Sequence, residues 1–303
     1  MSEVGTTIFE NKIKILIYGP NLQIENADCN FQSTFTDEKE PNTCTLFIYN
    51  LNDKNMDAII NNTNYVEIFT NQYGLTDTNG NTLWQKAFGG VLRDAVKIPK
   101  PSYTKKGKLR KTRAQIKYLT PSITPQSDDG ESYIQMELQE GDGTDIGTFF
   151  SKSYRQGFNI KKILIDLAKS INLEIVFDKN IKNYYVNFPI ILHDNVRNSL
   201  NKIASYIGAK AIISNNKIFI TSKSPNKNFI YYQFDESNIP QPKYLQNKKI
   251  EFMAPYMPDL HIGTFVRLVN KKMEIDGVYQ ICKLENEFSN HDEDCETKVT
   301  VMY

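Results

Sequence analysis

Histidine, tryptophan and cysteine are scarce: 303 residues hold three His, one Trp and four Cys. His193, His261 and His291 lie far apart. None forms an HExxH pair or sits at ligand spacing from a cysteine, so a metal site has weak support. Cys29, Cys44, Cys282 and Cys295 are scattered and contain no CxxC, so neither a disulfide framework nor a zinc site is suggested. Cys29 and Cys44 are near enough in sequence to pair, but reduced packing residues are the plainer reading. An excess of charge is missing too. With 36 Lys plus Arg against 35 Asp plus Glu, binding nucleic acid through bulk positive charge is excluded. No run approaches the ~18 consecutive apolar residues of a membrane span. Met1-Ser2-Glu3-Val4-Gly5 offers neither a basic n-region nor an apolar h-region, so synthesis in a cytoplasm without Sec export is expected. GxSxG, GxxxxGK[ST] and GxGxxG are all absent.

Aromatics and β-formers are abundant instead. The 17 Tyr and 17 Phe exclude a disordered chain, and the length predicts two or three compact units. From Thr6 to about Val96 the pattern is mostly strand. Lys12–Tyr18 alternates before the Gly19-Pro20 turn, Cys44–Tyr49 is rich in β-formers, and Tyr65–Thr70 alternates again. A short helix is expected around Asp53–Ile60, with Asn or Asp as its cap. Tyr73-Gly74 and Thr78-Asn-Gly-Asn81 mark turns before a strand over Leu83–Val91. Many short strands at regular spacing predict a barrel or sandwich. From Lys97 to Lys117 there are nine Lys or Arg and no Asp or Glu, with Pro99, Pro101, Pro121 and Pro125 around the run. Residues 97–130 read as a long exposed excursion, after which strand signal returns at Ser132–Leu138.

Thr148 to Ser224 reads as a small two-layer α/β unit. Ile160, Ile163, Leu164, Leu167, Ala168 and Ile171 form one helix face, with Asn159 as N-cap. Strands are expected at Glu174–Phe177 and Tyr184–Phe188. A second helix starts after Asp194 as cap, buries Val196, Leu200, Ile203, Ala204 and Ile207, and stops at Gly208. A hairpin through Asn215-Asn216 joins Lys210–Ile213 to Lys217–Thr221. The last stretch is β again, with strands at Lys249–Met253, Thr264–Val269, Val278–Leu284 and Thr297–Tyr303. Gly263 and Gly277 are read as turns, and Glu285, Glu287, Asp292, Glu293, Asp294 and Glu296 as an acidic tip. No period of 20–50 residues appears.

Catalytic chemistry has little to stand on. Glu140-Gly-Asp-Gly143 lacks the DxDxDG series of a calcium loop and reads as a tight turn. Glu67 or Asp142 with a distant carboxylate could form a glycosidase dyad, but any chain of this size contains such pairs. The basic run has a single interleaved aromatic, Tyr103, and reads as a solvated loop before it reads as a nucleic-acid site. The histidines take structural or solvated roles. The helix stripes are core. No catalytic, cofactor-binding or metal residue is assigned, and no cofactor is expected.

Phe31 to Leu51, centred on Glu40-Pro-Asn-Thr-Cys-Thr-Leu-Phe-Ile-Tyr-Asn-Leu51, resembles a signature of phage tail proteins, in which a strand follows an acidic turn. Tyr73-Gly74 with Leu83–Val91 continues it. So do Gly141-Asp142-Gly143, Ser151–Gly157 leading into the Ile160 helix, Pro258–Gly263, and Gly277–Ile281. In this order they resemble the baseplate hub (tail hub) proteins of contractile-tailed phages and related contractile injection systems. The 97–117 run departs from that pattern. The resemblance implies a mainly β chain with two tail-tube-like β-barrel domains plus a small two-layer α/β domain. Residues 1–148 would form the first barrel with its basic excursion at 97–130. Residues 149–224 would form the α/β domain, similar to the ring-building modules of secretins, and 225–303 the second barrel-like domain. The strands Thr45–Asn50 and Val66–Phe69 are expected in the first barrel.

The same resemblance implies a structural, non-enzymatic role. Three chains would make a ring of six barrels joining a six-fold tail tube to a three-fold spike. The implied partners are a homotrimer, a tail tube or tube-initiator protein, the central spike, and wedge or tape-measure proteins. Genomic DNA would pass through the lumen. The implied place is the baseplate of a virion tail, assembled in the host bacterial cytoplasm. Alternatives are a distal tail or tube-initiator protein, or a module binding nucleic acid or cell wall. In a ring of identical chains the basic run and the acidic tip could meet across interfaces and steer register. Charge reversal at Lys105, Lys106 and Lys108 is then expected to weaken assembly, read by light scattering; unchanged assembly refutes the pairing.

Overall fold

The computed structural model describes residues 11–25, 27–37, 41–72, 74–98, 132–140, 148–179, 181–214, 217–224, 232–290 and 295–302, with the backbone alone at 102–103 and 109–110. The chain divides into two compact units. The first takes Met1–Gln32, Cys44–Leu138 and Phe288–Asp294; the second takes Ser33–Thr43, Gln139–Glu287 and Cys295–Tyr303.

The first unit begins with β1 (Lys12–Tyr18), which buries Ile13, Ile15 and Ile17 and turns Lys12, Lys14 and Leu16 outward. Gly19-Pro20 turns the chain into β2 (Leu22–Glu25), antiparallel to β1. At Gly19 φ is +108°, and a Cβ would fall 1.9 Å from the Asn62 carbonyl oxygen, so only glycine fits. β3 (Cys29–Thr36) was not foreseen as a strand. Its inward positions are Cys29, Phe31, Ser33 and Phe35 and its outward ones Asn30, Gln32, Thr34 and Thr36, so its alternation has little hydrophobic contrast.

β4 (Thr43–Tyr49) leads to α1 (Asp53–Asn62), where the Asn52 side chain accepts the Asn55 N–H at 2.8 Å and Met56 and Ile59 turn inward. β5 (Tyr65–Asn71) is followed by β6 (Gln85–Ile98), two short antiparallel strands β7 (Ser102–Tyr103) and β8 (Leu109–Arg110), and β9 (Tyr133–Gln139). The pairing order is β3-β4-β9-β6-β5-β1-β2. Of the two segments expected in the first barrel, Thr45–Tyr49 lies in β4 and Val66–Phe69 in β5. β6 carries sheet structure to Ile98, into the start of the basic run. There Lys97 reaches Asp53 at 2.8 Å and Asp57 at 3.3 Å on α1. Apart from β7, β8 and this start, the 97–130 excursion lies outside the described residues. So do Tyr73, the Gly141–Gly143 part of the turn, and Asn215-Asn216.

The second unit contains the α/β module. Its elements are β10 (Phe149–Tyr154), α2 (Ile160–Ser170), β11 (Glu174–Phe177), β12 (Ile190–Asn195), α3 (Val196–Tyr206), β13 (Ala209–Ser214) and β14 (Lys217–Ser222). β10 pairs antiparallel with β12, and β11-β14-β13 make a second sheet in which β11 and β14 are parallel. Ile163, Leu164 and Leu167 of α2 meet Leu200, Ile203 and Ala204 of α3 in one core that also takes Leu192, Ile218 and Ile220. Asn159 caps α2 as expected, accepting the Lys161 N–H at 2.9 Å.

Two expectations in the module are corrected. Tyr184–Phe188 is not a strand; it makes one isolated bridge, Tyr185 to Asn159, and the strand lies later, at β12. Only Val186 of that segment is buried, while Tyr184, Tyr185 and Phe188 face solvent, so its aromatic content did not mark an inward face. The cap of α3 is Asn195, not Asp194. Asn195 Oδ1 accepts the Asn198 N–H at 2.8 Å, whereas Asp194 is still strand and its Oδ1 accepts the Asn195 N–H.

The remaining strands are β15 (Tyr232–Phe234), β16 (Lys243–Leu245), β17 (Lys249–Pro255), β18 (Phe265–Asn270), β19 (Ile275–Ser289) and β20 (Glu296–Met302). They pair in the order β16-β17-β20-β19, with β18 also on β19 and β15 parallel to β18. Gly263 is a turn residue, at φ +83°. Gly277 is not: it lies inside β19 opposite Leu268, where the Tyr279 ring covers it. The acidic tip also shrinks. Glu285 and Glu287 are strand residues opposite Lys298 and Glu296, and 291–294 lie outside the described residues. Glu285 is held by Lys283 at 2.9 Å and Lys298 at 3.5 Å.

The cap assignment is testable. Asn195→Ala is expected to cost about 1 kcal/mol, as for other N-caps, and Asp194→Ala less. Thermal melts followed by circular dichroism check the ranking. Leu164→Ala, which empties the module core, is expected to cost about 2–5 kcal/mol.

Candidate interaction surfaces

The outward face of β1, β5 and β6 carries a network of aromatic and charged groups. Tyr18 donates to Glu67 Oε2 at 2.6 Å and Lys86 Nζ to Glu67 Oε1 at 2.6 Å. The Tyr18 and Tyr65 rings lie 5.9 Å apart. Lys14 Nζ stands 4.6 Å over the ring of Trp84, the one tryptophan, and 5.1 Å over Phe69. The bare backbone of Gly89 leaves room for the ends of Tyr65 and Lys86 above it. Burial works against the Glu67 carboxylate, but the hydrogen bonds from Lys86 and Tyr18 outweigh it and hold the group below the usual range. The Glu67 hydrogen bond, then burial, push the Tyr18 phenol up. Aromatics that expose one face while binding through a polar tip are the chemistry enriched in protein interfaces.

The module presents a second surface. On β10 and β12 the outward positions are Phe149, Ser151, Ser153, Ile191, His193 and Asn195. Phe149 is 58% and Ile191 70% exposed, and Phe188, just before β12, is 77% exposed. The Phe149 ring meets His193 edge-on at 4.6 Å, and Ser151 Oγ lies 3.2 Å from His193 Nδ1. Large apolar groups exposed along one short sheet give it area to offer a partner. Each unit also has an edge strand. Among the described residues β2 and β16 each pair on one side only, and Lys243, Tyr244 and Leu245 of β16 are all exposed.

The residues singled out for chemistry fall as follows. Cys29, Cys44, Cys282 and Cys295 are all buried, and none is drawn into a disulfide. Burial pushes Cys29 up to about 12 and raises Cys44 and Cys282, so it favours the protonated thiol in all three. His193 is on the open face of the module, His261 is stacked on Phe219, and His291 lies outside the described residues. Glu67 is tied into the surface network; Asp142 lies outside the described residues. Among the described residues no group of three or more His, Cys, Asp or Glu is placed to hold a metal. Among those same residues no helix is long and apolar enough to cross a membrane. The surface network escaped sequence reasoning because its members come from three strands; the alternation of Lys14, Tyr18, Glu67 and Phe69 with buried residues was its only signal.

No protein family matches the chain, and no curated protein matches it in sequence. Solved structures do. The chain is similar to a tail protein from Neisseria meningitidis MC58, at 8% identity and a TM-score of 0.58, covering 97% of both chains. It is equally similar to the 43 kDa tail protein of prophage MuSo2 from Shewanella oneidensis, at 11% identity and a TM-score of 0.58, covering 96% of both. A chain of the Francisella PdpA–VgrG complex matches at 8% identity and a TM-score of 0.50, over 97% of this chain and 58% of that one. The fold is thus that of phage tail proteins, mainly β with an α/β module, which bears out the family resemblance at the level of fold.

The Glu67 network predicts an acid-side loss of stability. A carboxylate held below its ordinary value stabilises the fold above its unfolded pKa, and that contribution disappears as pH falls through the folded value. The exposure of the site limits it to about 0.5 kcal/mol. Glu67→Gln is expected to be less stable than the parent at pH 7 and equal to it near pH 3, as read from urea midpoints.

Proposed function

We propose that the chain is a structural component of a phage or phage-like tail, and within it the baseplate hub. The observation that carries the reading is the fold match, which runs over almost the whole length of this chain and of two tail proteins. Three copies form a ring that joins a six-fold tail tube to a three-fold central spike and lines the delivery channel. Each chain contributes two tail-tube-like barrels, over 1–148 and 225–303, with the α/β domain at 149–224 on the outside. The strands β2 and β16, edge strands among the described residues, favour such a ring, because open edges of identical chains are satisfied when a ring closes. The Tyr–Lys–Glu face of β1, β5 and β6 suits a polar-aromatic contact with a tube or tube-initiator protein. Wedge or tape-measure proteins are further neighbours, and DNA is the cargo of the lumen. The role is non-enzymatic, in keeping with buried thiols and a Glu67 already committed to Lys86 and Tyr18. The place of action is the virion baseplate, after assembly in the bacterial cytoplasm.

Mass in solution tests this. Native mass spectrometry of the chain with its tube and spike neighbours is expected to show a trimer of about 105 kDa, three times 34.9 kDa. A hexamer moves the assignment to a distal tail or tube-initiator protein. A persistent monomer overturns the hub reading, and a salt-dependent shift of DNA by that monomer makes it a nucleic-acid module. Clearing of peptidoglycan by the purified chain overturns the non-enzymatic role.

A further inference from the structure

The β13–β14 hairpin of the α/β module has two working faces. Ala211, Ile213, Ile218 and Ile220 pack into the module's own core. The opposite face, with Lys210, Ile212, Phe219 and Thr221, meets the β-strand part of the same unit. Lys210 pairs with Asp37, just past the end of β3. Ile212 is 4% exposed although it points away from the module core. The surface that covers it includes Gly263, where a Cβ would lie 2.4 Å from the Ile212 Cδ1 and 3.1 Å from the Thr221 Oγ1. Gln280 Nε2 donates to the Gly263 carbonyl at 3.0 Å and to the Ser222 carbonyl at 3.3 Å, so one side chain ties β19 to the turn and to the end of β14. Phe219 stacks on His261 at 5.6 Å with the ring planes 22° apart. The Asp37–Lys210 pair borders a cavity lined also by Thr36, Arg197 and Asn201.

Among the described residues, contacts of this kind join the hairpin face to the strands, and one of them is made by an imidazole. We propose that this hairpin face is an acid-sensitive latch, in which protonation of His261 loosens the module from the β-strands of its own unit. The charged groups around the ring are few. Asp259 comes from its own loop and favours the imidazolium; Lys217 comes from β14, disfavours it, and is itself paired with Glu174 of β11 at 2.8 Å. β19 offers the uncharged Gln280, and β13 offers Lys210, already paired with Asp37. Burial is the largest influence and, with Lys217, outweighs Asp259, so His261 is held below its ordinary value while docked. The closed latch thus prefers the neutral ring. As pH falls below about 6.5, the opened form takes up the proton more readily and the latch weakens. An imidazolium over Phe219 gains some cation–π attraction, which softens the effect without reversing the preference set by burial.

A zero-length carbodiimide tests this in the full chain, because it joins carboxylates only to amines in contact with them. The Asp37–Lys210 cross-link is measured by peptide mass spectrometry at pH 7 and pH 5, relative to the Glu67–Lys86 cross-link in the other unit. The ratio is expected to fall several-fold at pH 5 in the unaltered chain and to stay level in His261→Gln. A ratio that ignores pH in the unaltered chain overturns the latch, and an equal fall in His261→Gln overturns the role of His261. Should that variant fail to fold, amine labelling of the unaltered chain decides, because Lys210 is shielded only while it pairs with Asp37 across the latch. Labelling of Lys210 relative to Lys86 is expected to rise several-fold from pH 7 to pH 5. An unchanged ratio overturns the proposal.

Discussion

Phe31 stacks on Phe288 at 5.6 Å with both rings fully buried, and this contact brings the early and late parts of the chain together in the first unit. Asn290 secures the junction: its side chain accepts the Cys29 N–H and donates to the Ala27 carbonyl, across 261 positions in the first case. In the second unit the same strands repeat the device with polar groups, since Asn286 Nδ2 donates to Ser33 Oγ and Asp37 N–H to the Cys282 carbonyl. The closure brings most of the chain into one long loop. Its entropic cost rises only slowly with length, so the large insertion between is tolerable. Contacts of this separation are expected to make folding slow more than to make the fold unstable.

Each sheet then divides labour between its faces. In β1 and β5 the isoleucines and Val66 are fully withdrawn, while Lys14, Tyr18, Glu67 and Phe69 stay at the surface and bind one another. Inward burial supplies stability; the outward network supplies a surface whose shape is already set before a partner arrives. Such preorganisation lowers the cost of ordering side chains on binding. The module follows the same rule with a different outcome, since one hairpin face is spent on its own core and the other on its neighbour within the unit. Its third surface, on β10 and β12, remains open.

Much of this was legible in the residues. Lys12–Tyr18, Glu174–Phe177 and the two module helices have strong periodicity and clear ends, and local physics is enough for them. β3 was not, because Cys29 and Ser33 serve as inward residues on account of what lies opposite them, which no local pattern records. Tyr184–Phe188 misled for the converse reason: aromatics normally buried are here turned out. Gly277 misled because a glycine that makes room for Tyr279 looks the same in sequence as one that makes a turn.

The sequence by itself determined the class of fold, the helix caps to within one residue, and the absence of the common catalytic motifs. These depend on periodicity, on side-chain hydrogen-bonding capacity and on residue spacing, all of which are local. Tertiary structure alone decided that β3 and β19 supply residues to both units, that Lys14, Trp84 and Glu67 share one face, and that His261 lies beneath Phe219. These juxtapositions join residues far apart in the chain. Their energies arise only once the intervening entropy has been overcome, and so no window of sequence contains them.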